Sequence, residues 1–133
     1  MIVLDANVLI AFLDSSDLHH NVTLEILDAF APEGYGASVL TVAEALVYPT
    51  RNNSQDRSAS AFARIGLMTV PLAQTDALDL ARIRSQYGVR MPDAVALFTA
   101  LSTQSTLATF DIELAAAARA AGVDVVGAAN ESR

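Results

Sequence analysis

Five short apolar runs, separated by segments of helical periodicity, leave a chain of 133 residues few ways to fold. The runs are Ile2–Leu4, Tyr35–Ser38, Met68–Val70, Thr106–Thr109 and Val123–Val126. Each is too short to bury its own surface and must pair with the others. Between them the apolar spacing predicts helices over Asn7–Leu13, His19–Ala31, Val39–Tyr48, Gln55–Ile65, Thr75–Tyr87, Pro92–Leu101 and Ile112–Ala121. Pro49 is expected to stop the third, with a polar loop over Arg51–Ser54. Thr75 is the expected N-cap of the fifth, and Gly88 follows its end. Strands alternating with helices predict a three-layer α/β/α sandwich on a mainly parallel five-stranded sheet, one domain over residues 1–133. In such sheets ligands bind beyond the carboxyl ends of the strands.

Residue usage removes several kinds of chemistry. Cysteine is absent, which excludes disulfides, zinc–thiolate sites and a thiol nucleophile. All eight basic residues are Arg. Without Lys there is no phosphate-binding P-loop and no Schiff base with pyridoxal phosphate. No run of about 18 apolar residues is present, so no membrane span is expected. The first residues lack the basic flank of a secretory signal, and a cytoplasmic location is the expectation. The net charge of −7 disfavours a polyanionic partner, but its distribution is uneven. Residues 51–90 hold six Arg against three Asp, while residues 1–50 hold seven acids and no Arg.

Four acids stand where a site would form. Asp5 follows the first strand. Asp111 follows the fourth, at a helix entrance. Asp93 lies in the first helical turn after Pro92. Each has an ordinary alternative: a helix cap, or an acid facing the positive end of a helix dipole. Glu44 differs, since it interrupts the apolar helix Val39–Tyr48. A helix apolar on nearly every side is expected to be buried, and an ionised carboxylate there needs a partner or a metal unless Glu44 takes a single exposed position on a mostly hidden helix. Thr41 shares its face, Ser38 lies at the helix entrance, and Asn7 can cap or orient Asp5. Four carboxylates from distant segments suit a hard cation such as Mg²⁺ or Mn²⁺. Such ions can clamp the attacking and leaving oxygens of a phosphodiester.

In this order, Ile2-Val3-Leu4-Asp5-Ala6-Asn7, Ser38-x-x-Thr41-x-x-Glu44, Arg90-Met91-Pro92-Asp93-Ala94 and Thr109-Phe110-Asp111 resemble the PIN domain, and more narrowly its VapC toxins. The resemblance spans essentially the whole chain. It implies Mg²⁺-dependent cleavage of RNA, homodimers, and inhibition by a VapB-type antitoxin. It also implies that Asp5 and Asp93 are the principal metal ligands, that Glu44 and Asp111 complete the acidic site, and that the Thr109 hydroxyl lies beside it.

Other residues have plainer roles. His19 and His20, with no Cys or third His near, are expected at the surface or in packing. Arg51, Arg57 and Arg64 are candidates for gripping RNA phosphates, but each is expected on a solvated helix face. Arg90, three residues before Asp93, is a candidate substrate contact. One rival function is phosphate chemistry with Asp5 as nucleophile or phospho-acceptor. Families that work this way use a Lys this chain lacks. Another is a non-catalytic module that only binds a partner.

Overall fold

The computed structural model describes residues 1–128. Its five strands are β1 (Ile2–Leu4), β2 (Tyr35–Ser38), β3 (Met68–Val70), β4 (Thr106–Thr109) and β5 (Val125–Gly127). The seven helices are α1 (Ala6–Leu13), α2 (His20–Ala29), α3 (Val39–Arg51), α4 (Gln55–Arg64), α5 (Ala77–Tyr87), α6 (Met91–Thr103) and α7 (Ile112–Ala120). All strand pairings are parallel, in the order β3-β2-β1-β4-β5. The predicted sandwich is therefore the fold.

Strand alternation divides the interior into two cores. Val3 and Leu107 face one side, where Leu97 of α6 and Leu114 of α7 are fully buried. Ile2, Leu4 and Ala108 face the other, against Leu9 of α1, Leu27 of α2 and Phe62 of α4. Strands buried on both faces read as continuous apolar runs. The chain leaves β1 toward β2 and β3, then returns to place β4 on the opposite side of β1. This reversal opens a crevice between the carboxyl ends of β1 and β4.

Four local expectations are corrected. Helix α3 runs through Pro49 to Arg51 instead of stopping before it. The missing Pro N–H forfeits one helical bond, but little helix remains beyond it, and the Ser54 N–H donates to the Pro49 carbonyl at 2.8 Å. Thr75 does not cap α5. It lies in a short 3-10 turn, Gln74–Asp76, where the Asp76 carboxylate accepts from the Ala73 N–H at 2.7 Å. Strand β5 begins two residues late, because the Val123 N–H donates back to Ala118 at the end of α7. Finally, α3 is not enclosed: Glu44 is exposed, as are Val39, Leu40, Val47 and Tyr48.

Gly127 ends β5 at a φ of +104°, which a side chain rarely adopts. A Cβ there would stand 2.6 Å from the Thr109 carbonyl oxygen and 3.3 Å from Cε1 of Phe110. Gly127→Ala is expected to cost at least about 2 kcal/mol through this clash and strain. Urea denaturation of the two proteins measures the loss. An unchanged midpoint would contradict the close approach of β5 to β4.

Candidate acidic active site

The crevice at the switch point is organised by Asp5. Strand β1 ends at Leu4, so Asp5 is the first residue beyond the sheet, and it is buried. Its Oδ1 accepts from the Ala6 N–H at 2.8 Å, the expected capping bond of α1. Its Oδ2 accepts from the Thr109 hydroxyl at 2.8 Å, across 104 positions of chain. Capping and site membership are thus combined in one side chain.

Thr109, fully buried at the end of β4, is the hub. Besides donating to Asp5, its Oγ1 accepts from the Asp111 N–H at 3.0 Å and from Nδ2 of Asn7 at 3.3 Å. The Oδ1 of Asn7 accepts from the Phe110 N–H at 3.2 Å. Asn7 therefore fastens α1 to the segment that carries Asp111. Asp111 caps α7, its Oδ1 accepting from the Glu113 and Leu114 N–H groups at 2.9 and 3.2 Å.

Asp93 lies in the first turn of α6, with its side chain only 13% exposed. Arg90 approaches it at 3.8 Å but is itself 77% exposed. A pair so open to water contributes little.

The acids sense one another. Burial pushes Asp5 up to about 6, against the bonds from Thr109 and Ala6; the charges of Asp93 and Asp111 push it further in the same direction. Asp93 is raised first by desolvation and then by Asp111, with Arg90 opposing. Glu44 is exposed as a residue, yet its carboxyl is raised by partial desolvation and by Asp93, again against Arg90. Asp5, Glu44, Asp93 and Asp111 thus form a chain of repelling neighbours. They are not drawn together on one point: among the described residues, no group of three His, Cys, Asp or Glu side chains is arranged to hold a metal ion. The all-oxygen donors and uncompensated charge still fit Mg²⁺, which commonly takes one or two carboxylates and fills its shell with water and phosphate oxygens.

The supporting residues divide. Asn7 and Thr109 belong to the network. Ser38 is the N-cap of α3, accepting from the Leu40 N–H at 3.2 Å, and Thr41 is buried in that helix. Arg51, Arg57 and Arg64 are exposed on α3 and α4. His20 packs on α1, its Nδ1 2.7 Å from the Ala11 carbonyl oxygen. Two features escaped sequence reasoning: the backbone N–H of Phe110 as an anchor for Asn7, and the exposed apolar face of α3. No residue pattern marks the first. The second is hidden because apolar composition looks alike on a buried helix and on a contact face.

The raised Asp5 carboxyl has a consequence for stability. The folded state holds this proton more tightly than the unfolded chain does. Its contribution is therefore full below about pH 4 and is lost as pH rises through about 6. Asp5→Asn, which cannot ionise, is expected to melt higher than the wild type at pH 8 in chelator. The shift corresponds to a gain of up to about 3 kcal/mol, and the gain should vanish near pH 4. Calorimetry across that range provides the check; a gap independent of pH would count against the buried charge.

The PIN domain family model matches residues 2–120. A comparison with the sequences of curated proteins gives no match. Among solved structures, one similar chain belongs to a toxin–antitoxin complex from Klebsiella pneumoniae, with 24% identity, 87% of this chain and 91% of that one covered, and a TM-score of 0.74. FitAcB from Neisseria gonorrhoeae has 24% identity, 94% and 96% coverage and a TM-score of 0.71. VapC20 of Mycobacterium tuberculosis, described as a sarcin–ricin loop cleaving toxin, has 14% identity, 88% and 95% coverage and a TM-score of 0.71. At these identities the structures speak for the fold alone. The family match covers most of the chain and includes all four acids, and on that ground this chain belongs to the PIN domain family.

Proposed function

We propose that the protein is a Mg²⁺-dependent endoribonuclease acting as the toxin of a VapBC-type toxin–antitoxin pair. The observation that carries this reading is the buried Asp5 carboxylate, held by Thr109 at the sheet's switch point and repelled by Asp93 and Asp111. A buried charge with like charges around it is costly. In this reading the arrangement persists because a cation binds there. VapC20 and the toxin–antitoxin complexes with the same fold favour a toxin over other nucleases.

Asp5 and Asp93 are the residues to hold Mg²⁺, with Mn²⁺ as a substitute. When bound, the ion supplies Lewis acidity at a phosphate oxygen and neutralises developing charge. The chain's own residues do the rest. Thr109 fixes the Asp5 rotamer, and Asn7 fixes Thr109. Glu44 and Asp111 orient the attacking water or take a second ion. Arg90 reaches toward the phosphate. In-line attack by that water forms the new P–O bond and breaks the bond to the ribose 3′-oxygen, which takes up a proton in exchange for the one the water gives up; the products are a 5′-phosphate and a 3′-hydroxyl. Neither His is required for the bond to break.

Two surfaces support the partners. Leu40, Val47 and Met91 form an apolar face over α3 and the start of α6, suited to a homodimer contact. A groove lined by Ile10, Leu13, Tyr48 and Pro49 includes Glu44 in its wall. An antitoxin seated there would approach the acids directly. No helix among the described residues is long and apolar enough to cross a membrane.

Purified protein is expected to cleave RNA with Mg²⁺ and to stop in chelator. Asp5→Asn and Asp93→Asn should each lower the rate about 100-fold or more, and Thr109→Val about 10- to 100-fold. Expression should arrest growth in wild type and not in Asp5→Asn. Undiminished Mg²⁺-dependent cleavage by pure Asp5→Asn protein would refute the assignment.

A further inference from the structure

Phe110 stands between Thr109 and Asp111 and is held from three sides. Its N–H donates to Asn7, its ring edge meets Gly127, and it packs on the core beneath α1 and α2. The fourth side carries the His19 imidazole, with ring centroids 4.1 Å apart and planes 9° from parallel. His19 is itself set in place: its N–H donates to the Asp17 carboxylate at 2.8 Å, and its carbonyl accepts from the Thr23 N–H at 3.0 Å. With one face on Phe110 and Nδ1 3.9 Å from the Asp17 carboxylate, the His19 side chain is still 44% exposed. Leu18, 90% exposed, projects beside it.

We propose that His19, backed by Phe110, is a stacking platform for a nucleobase of the single-stranded RNA substrate. This inference rests on the ribonuclease reading and adds to it a subsite that holds a base. Three considerations carry it. Phe110, which backs the platform, belongs to the Thr109–Asp111 segment, so the platform is anchored to the same stretch of chain that carries part of the acidic site. The His19 ring already lies stacked on Phe110 and its backbone is bonded on both sides, so little ordering is needed on binding. Finally, a chain of net charge −7 grips a phosphate backbone weakly, and Arg90 is the one basic residue beside the acids among the described residues. Stacking on an aromatic face gives affinity without positive charge, and every base can supply it. His19 in this role binds substrate and transfers no proton.

The chain has no Trp, so His19→Trp places a single indole reporter on the platform. In an Asp93→Asn background, which keeps RNA intact, its emission is expected to be quenched by a short single-stranded oligoribonucleotide. A backbone-matched abasic oligomer should leave it unquenched. In the otherwise native enzyme, His19→Ala should raise KM about fivefold or more, on the order of one stacked base, with a smaller change in kcat. His19→Phe should restore KM. Equal quenching by the abasic oligomer, no binding of any oligomer, or an unchanged KM in His19→Ala would each overturn the platform. Base-dependent quenching without any Mg²⁺-dependent cleavage would keep the platform and reject the ribonuclease reading. Cleavage with an unchanged KM in His19→Ala would do the reverse.

Discussion

A single hydrogen bond, from the Thr109 hydroxyl to the Asp5 carboxylate, ties the sheet to its acidic edge. It joins the carboxyl ends of two adjacent parallel strands, β1 and β4, where the strand order reverses. The bond has to offset part of the desolvation of the buried Asp5 carboxylate, whose charged neighbours among the described residues, Asp93 and Asp111, are acidic. Everything around it is arranged to hold that hydroxyl: Asn7 from α1, and the Asp111 N–H from the entrance to α7. Disturbing Thr109 therefore loosens Asp5, Asn7 and Asp111 together. Such a network is worth more than its separate bonds.

The charges explain why the site is open. Four acids at one sheet edge repel, and two of them are occupied with capping. Capping keeps Asp5 and Asp111 in fixed rotamers, while repulsion opposes closer approach. The result is a pre-positioned acidic edge and not a finished cage. Mg²⁺ suits such an edge because it keeps several waters and accepts phosphate oxygens. Arg90, beside Asp93, is too exposed to relieve the repulsion.

Helix α3 shows how composition can mislead. Its apolar sequence predicts an enclosed helix, from which a costly buried Glu44 would follow. In the fold only Thr41, Ala45 and Pro49 are buried, at intervals of four, while Leu40, Val47 and Tyr48 face outward. Glu44 is exposed and its place in the site comes from its neighbour Asp93, not from burial. Apolar periodicity reports that a surface is to be covered. It does not say whether the same chain covers it.

The local rules of the chain determined most of the fold: the five apolar runs, the helices between them, the αL residue Gly88 at the end of α5, and the positions of Asp5, Asp93 and Asp111 at element ends. These follow from periodicity and capping, which act over a few residues. Only tertiary structure decided the rest. The Thr109–Asp5 bond spans 104 positions, the stack of His19 on Phe110 joins the start of α2 to the end of β4, and Gly127 is required because β5 lies against the Thr109 carbonyl. A contact between distant segments depends on strand order, and strand order leaves no local trace in residue spacing.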